Sequence, residues 1–381
     1  MRIAYLAHNL DDPAIARRVR MMQIGGADVD LAGFRRGDGD VVPIHGVVPI
    51  VLGRTKDARL LQRVASVAAA RLPDAFLTGA DLILARNLEM LAIAMRHRRR
   101  SGLAIPVVYE SLDIHRLLTG NGVASLLLRW IEGQLAQAAS LLITSSRAFV
   151  REYFVARSRV GLPVLLVENK MLALDEPDPV AVPVVSAVAP PWRIGWFGAI
   201  RCRRSLATLG ALTEEMDGKV EVVIRGRPAY SEFADFEAEV GRYRHVSFLG
   251  PYGSADLAQI YGEVHFAWAV DFFEEGFNSA WLLPNRIYEG GRHGVVPIAE
   301  AAVETGRFLA DAGIGVLLGK DIRRDLHSFF ERLSAVNYAV ERAKVTAISP
   351  SRWVYDASDC RRLLETLETV AGGKPVESAV L

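Results

Sequence analysis

The chain opens with an apolar run, Arg2 to Ala7, followed by a polar loop from His8 to Pro13. A short continuous apolar run predicts a strand buried on both faces. Ala14 to Met22 then follow helical spacing until Gly25 and Gly26, and Asp28 to Gly33 form a second strand-length segment. Strand, helix, strand is a βαβ unit, whose strands run parallel and whose crossover is right-handed. The alternation continues through helix 57–72, strand 81–85, helix 88–99, strand 105–109, helix 123–139, strand 141–144, helix 146–155 and strand 164–167. Residues 175–191 then hold five prolines and no helical period, which reads as an extended connector.

A second alternation follows it. Its strands are expected at 193–197, 220–224, 245–249, 264–268, 295–299 and 315–318, with a short segment at 309–313. Its helices are expected at 204–216, 231–240, 254–260, 285–292 and 322–334, and a last helix spans 351–370. Strands alternating with helices predict parallel, doubly wound α/β sheets. The expected organisation is an N-terminal Rossmann-like domain at 1–175, a linker at 176–191 and a C-terminal Rossmann-like domain at 192–350. Residues 351–381 are expected to pack back toward the first domain. Two such domains predict a central cleft between strand ends, where ligands bind.

Composition narrows the class without changing that picture. The 381 residues are 51% hydrophobic and 23% charged, as in ordinary globular proteins long enough for more than one core. The two cysteines, Cys202 and Cys360, offer neither zinc spacing nor a disulfide framework, which fits a reducing cytoplasm. No secretory signal is read, and no apolar run approaches the ~20 residues of a spanning helix. A net charge of +1 argues against nucleic acid as a partner. The charge is uneven, however: residues 1–190 hold 23 Lys/Arg against 18 Asp/Glu, or +5, and residues 191–381 hold 22 against 26, or −4. Arg59, Arg63 and Arg71 on one helix and Arg96, Arg98, Arg99 and Arg100 on the next form a basic surface suited to anionic lipid headgroups. The same arginines equally suit helix C-termini.

Candidate chemistry concentrates in Asn285-Arg-Ile-Tyr-Glu-Gly-Gly-Arg-His-Gly-Val-Val-Pro-Ile298. The pattern reads as a short helix carrying Glu289, a Gly turn and a departing strand, the kind of place where α/β sheets hold phosphates and sugars. Asn278 and Ser279 precede it as possible donors to diphosphate oxygens. Arg201 follows a Gly198 turn and offers bidentate donors to phosphate. No Asp-x-Asp pattern suggests a metal-dependent donor site, so no metal and no cofactor are expected.

Seven segments, in order, resemble a known family. They are Leu10-Asp-Asp-Pro-Ala-Ile-Ala-Arg-Arg-Val-Arg20, Tyr109-Glu-Ser-Leu-Asp-Ile-His115, Glu132 with Leu141-Leu-Ile-Thr-Ser-Ser146, Trp196-Phe-Gly-Ala-Ile200, Ile224-Arg-Gly226, Val246-Ser-Phe-Leu-Gly250 and the Asn285–Ile298 block. Together they resemble the bacterial two-domain GT-B glycosyltransferases of the family 4-like type, especially those that build exopolysaccharide repeat units. The resemblance covers nearly the whole chain. It implies an α/β GT-B fold and transfer of a hexose from a nucleoside diphosphate sugar, UDP- or GDP-linked. The implied acceptor is a polyprenyl-diphosphate-linked saccharide, and the implied place is the cytoplasmic face of the membrane, held peripherally.

In that family the Gly198 loop faces the diphosphate, Arg225 and Gly226 meet the nucleotide, and the base docks near Tyr252. Asn285 and Arg286 flank the donor motif, Arg286 stands where relatives often carry Lys or Arg near phosphate, and Glu289 contacts the ribose or donor sugar. Fixed cations there would stabilise the departing nucleoside diphosphate. Asp113 is the expected catalytic base, with Glu110 behind it and His115 orienting a sugar hydroxyl. Asp113 equally suits a helix N-cap. His8 and Asn9 end the first strand, on the acceptor side, and His293 is expected to be structural. One position departs from the family: Trp281 stands where many relatives carry a first Glu, with seven residues between it and the second. This leaves a retaining mechanism in question. It also leaves open a non-catalytic nucleotide-sugar-binding partner, and a nucleotide-sugar 2-epimerase on the same architecture is a separate alternative. A dinucleotide-dependent oxidoreductase fits poorly, since Ala7 to Asp11 carry no G-x-G-x-x-G.

Overall fold

The computed structural model describes residues 1–37, 39–55, 60–172 and 189–381. Most of the Pro-rich stretch read as a linker, and Arg59, lie outside them. The chain splits into two compact units, Met1–Glu168 with Tyr355–Leu381, and Asn169–Val354.

The first unit is built on a parallel sheet of β1 (Arg2–Ala7), β2 (Asp28–Arg35), β3 (Ile50–Arg54), β4 (Leu82–Arg86), β5 (Val107–Glu110), β6 (Leu141–Thr144) and β7 (Val164–Leu166). The order is β7-β6-β5-β4-β1-β2-β3, and a short strand, Ala379–Val380, adds parallel to the β7 edge. The helix Pro13–Gly25 starts where Asp12 accepts a hydrogen bond from Ala14 N and proline takes the first position. It ends at Gly26, which is left-handed. The helix Ala357–Ala371 begins on a capping box of Asp356 and Asp359 and packs on Pro13–Gly25. The region expected as helix 146–155 is instead a π-helix, Phe149–Ser158.

Glu110 sits at the centre of this unit. It is fully buried, accepts from Arg18 Nε at 2.6 Å and Tyr5 OH at 2.8 Å, and lies 3.8 Å from Arg86. Burial raises its pKa, but the two guanidinium groups outweigh that and hold it below the usual range. The second-base reading of Glu110 is therefore corrected: it is an ion-paired core residue, out of reach of substrate.

The second unit is a six-stranded parallel sheet of β8 (Trp192–Ile200), β9 (Val220–Pro228), β10 (Val246–Phe248), β11 (Phe266–Trp268), β12 (Val296–Glu300) and β13 (Val316–Leu318), in the order β10-β9-β8-β11-β12-β13. One face carries a large core that includes Trp192, Trp196, Trp268 and Tyr338, and a smaller cluster gathers Phe197, Ile260, Tyr261 and Val264. Helices Arg203–Glu215, Leu257–Gly262, Asn285–Arg292 and Ile322–Arg332 match expected segments. Two helices differ. Segment 231–240 is helical only over Phe236–Val240, because Asp235 caps it by accepting from Ala238 N at 2.9 Å. The segment 309–313 is the end of a longer helix, Glu304–Ala312.

In both sheets the strand order reverses beside the first strand of the unit, between β1 and β4 and between β8 and β11. Chain connections leave such a point in opposite directions and open a crevice at the strand C-termini.

Candidate functional site

In the second unit the reversal point carries Gly198 near the end of β8 and Gly226 near the end of β9. The two are register partners. Both have positive φ, 105° and 140°, and a Cβ on Gly226 would lie 1.8 Å from Gly198 O. Only glycine permits this approach. Gly226 N also donates to Gly250 O at 2.9 Å, which ties the ends of β9 and β10 together. A Cβ on Gly198 would meet only Tyr252 OH, at 3.9 Å. The backbone at Gly198 thus presents a bare surface beside a phenol.

Glu289 belongs to the helix Asn285–Arg292, which Pro284 introduces. Its Oε2 accepts from Tyr261 OH at 2.9 Å. Tyr261 is fully buried, and its ring packs edge-on against Phe197 at 5.0 Å and stacks with His293 at 5.7 Å. Burial first, then the charge of Glu289, push the hydroxyl pKa of Tyr261 well above the ordinary tyrosine value. Tyr252 is raised for the same two reasons, and Arg286 opposes both shifts. Gly198, Gly226, Tyr252, Arg286 and Glu289 are therefore brought together, with Tyr261 as the member that sequence reading missed. No local spacing signals it, since it meets Glu289 from 28 residues away. Arg286 Nη1 is buried and has no hydrogen-bond partner among the described residues. A buried, unmatched guanidinium N–H beside bare backbone suits an anionic oxygen.

The other expected donor residues are placed differently. Arg201 pairs with Asp271 at 3.0 Å and lies over the Phe273 ring. Arg225 lies 3.6 Å from Glu263. Asn278 and Ser279 are buried, and Ser279 Oγ accepts from Glu274 N at 3.0 Å, pinning the preceding turn. Asn285 is exposed at the helix start. Trp281 is buried edge-on against Phe277. His293 is the C-cap of its helix, its pKa lowered to about 4 by burial and by Arg292.

In the first unit a cavity of ≈250 Å³ opens at the β1/β4 reversal and is lined by His8, Asn87, Glu89, Asp113 and His115 among others. Leu117, Leu128 and Ile131 make part of its wall apolar. Asp113 and His115 are exposed, and His115 Nδ1 accepts from Leu117 N at 3.2 Å, so His115 rather than Asp113 caps the short helix Arg116–Thr119. His8 is held neutral, its pKa lowered to about 4 by burial first and then by Arg86. Its buried Nδ1 has no hydrogen-bond partner among the described residues.

The expected basic surface is partly structural. Arg96 donates to the carbonyls of Val67, Ala68 and Ala70, Arg71 to Ala68 and Ala70, and Arg98 to Ile105 and Ala138. Arg99 and Arg100 are exposed. Among the described residues, no helix is long and apolar enough to cross a membrane, and no group of three or more His, Cys, Asp or Glu is placed to hold a metal ion.

No family model matches the chain. It is 48% identical, over 97% of its length and 94% of the relative's, to the succinoglycan biosynthesis protein ExoL of Rhizobium meliloti strain 1021. Among solved structures, HepE of Anabaena in complex with UDP and glucose superposes with a TM-score of 0.70 at 18% identity, over 97% of this chain and all of that one. Sucrose-phosphate synthase of Thermosynechococcus elongatus gives a TM-score of 0.71 at 15% identity, over 98% and 99%. These likenesses, with the two sheets described above, give the GT-B fold.

Proposed function

This chain belongs to the ExoL family of bacterial GT-B exopolysaccharide glycosyltransferases, and from that premise we propose that it moves a hexose from a nucleoside diphosphate sugar to a polyprenyl-diphosphate-linked saccharide. The observation that carries the donor assignment is the Gly198–Tyr252–Arg286–Glu289 group at a strand reversal point. The bare backbone at Gly198 takes the diphosphate, the buried Arg286 N–H meets its oxygens, and Glu289 accepts from donor hydroxyls. A uridine diphosphate donor is the first to test, since HepE was solved with UDP-glucose. Arg201, Arg225, Asn278, Ser279 and Asn285 shape the surrounding loops in this reading.

The first-unit cavity takes the acceptor. Asp113 removes the proton of the attacking hydroxyl, the new bond forms to the anomeric carbon, and the bond to the phosphate oxygen breaks. The leaving nucleoside diphosphate gains negative charge, which Arg286 and the amides near Gly198 stabilise. Asp113 is chosen over Glu110 because Asp113 is exposed at the cavity and Glu110 is locked in ion pairs. Membership of the ExoL family favours transfer over 2-epimerisation and over a non-catalytic role.

The test is transfer of labelled sugar from nucleotide donors to a lipid-extracted acceptor, with wild type and Asp113→Asn. Wild type is expected to label the lipid fraction. The variant is expected to bind donor but transfer at least about a hundredfold more slowly, as for loss of a general base. Equal transfer by both removes Asp113 from the mechanism, and no transfer from any donor by wild type contradicts the reading.

A further inference from the structure

The helix Val123–Ala136 is turned inside out. Its buried residues are Ser125, Arg129, Glu132 and Ala136. Its exposed ones include Val123 at 83%, Leu126 at 55%, Leu127 at 53% and Trp130 at 62%. Positions i, i+3, i+4 and i+7 fall on one stripe of a helix. A surface helix in water shows the reverse arrangement, so this stripe is matched to something other than water.

The inversion has a local cause. Glu132 accepts hydroxyl bonds from Tyr109 at 2.7 Å, Tyr153 at 2.5 Å and Ser158 at 2.6 Å, and Arg129 donates to the carbonyls of Leu118 and Gly120. These bonds fix the polar face inward. The apolar stripe is what remains outside.

We propose that this stripe is a membrane-docking surface, which seats the first unit on the headgroup and acyl boundary of an anionic bilayer. Charge supports the choice. From Arg116 to Arg159 the chain holds six Arg and two Glu, 6 − 2 = +4. Both Glu are engaged, Glu132 as above and Glu152 with Arg151 at 2.7 Å. Arg116, Arg147 and Arg159 are exposed, and the adjoining π-helix exposes Val155 at 68%. An apolar stripe with a tryptophan and flanking arginines matches helices that lie in the interface plane. Leu128 and Ile131 of the same helix line the candidate acceptor cavity. The surface would thus bring a lipid-linked acceptor to the unit that takes it; that purpose rests on the proposed function, while the surface itself does not.

Trp130 supplies its own probe. The other five tryptophans, Trp192, Trp196, Trp268, Trp281 and Trp353, are buried in the second unit. The experiment is flotation of the full chain with phosphatidylglycerol/phosphatidylcholine vesicles, with and without brominated acyl chains, against phosphatidylcholine alone. Wild type is expected to float with the anionic vesicles, to release at high salt, and to lose emission to bromine. The double variant Leu126→Ser, Trp130→Ser is expected to bind about tenfold or more weakly, by loss of two buried apolar side chains. Trp130→Phe keeps the apolar surface and is expected to abolish only the bromine quenching, which covers the case of a double variant that misfolds. Wild type that ignores anionic vesicles, quenching that survives Trp130→Phe, or a lipid-independent dimer broken by the double variant would each overturn the proposal. Vesicle binding without sugar transfer by wild type would sink the transferase reading and leave this one standing.

Discussion

Tyr261 donates its hydroxyl to Glu289 Oε2 at 2.9 Å from beneath the helix Asn285–Arg292. The ring is buried and the carboxylate half-exposed, so the bond holds one carboxylate oxygen in place from the core side. A hydrogen bond to a charged group contributes about 1.5–3 kcal/mol. Tyr261→Phe should therefore lower kcat/KM about tenfold or more by loosening Glu289, with a small loss of stability. Glu289→Gln should lower it further. Steady-state kinetics on both variants check this; a Tyr261→Phe enzyme with a lower Tm and unchanged kinetics would reduce Tyr261 to a packing residue.

Gly226 and Gly198 predict opposite phenotypes from the same substitution. At Gly226 an alanine Cβ would meet Gly198 O at 1.8 Å, so Gly226→Ala should cost on the order of 3 kcal/mol or more, as overpacking plus backbone strain. At Gly198 the Cβ has room, and only the positive φ is strained, by about 1–2 kcal/mol. Gly198→Ala should fold and lose donor affinity, because its methyl would stand where the diphosphate is proposed. Thermal melts and donor titrations separate the two. Unchanged donor affinity in a folded Gly198→Ala would remove that loop from the donor site.

Two buried glutamates of the first unit give the pH dependence opposite signs. The folded pKa of Glu110 is lowered by Arg18 and Arg86, so its stabilisation is complete above the unfolded value and is lost as pH falls through the folded one. The folded pKa of Glu132 is raised, chiefly by burial, so its contribution is complete below the unfolded value and is lost as pH rises through the folded one. Glu110→Gln should cost about 3–5 kcal/mol at neutral pH, because it strands Arg18. It should then lose stability less steeply on acidification toward about pH 4, whereas Glu132→Gln should lose it more steeply. Denaturant melts across that range are the measurement, and parallel curves for the two variants would contradict the assignment.

These residues also show what a linear reading can reach. Strand Leu141–Thr144 and helix Asn285–Arg292 have the bounds their patterns predict, because apolar runs and a Pro-Asn start act locally. The helix Ala335–Thr346 escapes notice because only Tyr338 and Val345 are buried while Val336 and Val340 face out, leaving little period to read. The strand Ile50–Arg54 is half-exposed at a sheet edge, and its apolar run, Ile50 to Leu52, is only three residues long between Pro49 and Gly53. At the candidate sites, glycines and carboxylates at strand ends are visible in one dimension. Their partners are not: Tyr261 for Glu289, Asp271 for Arg201 and the three hydroxyls around Glu132 come from distant positions that only folding brings near.

The most direct measurement is a crystal structure with a nucleoside diphosphate hexose bound. The account predicts diphosphate density against the Gly198 backbone and Arg286, with sugar or ribose hydroxyls on Glu289. Ordered donor density in any other part of the second unit, or in the first, would contradict it.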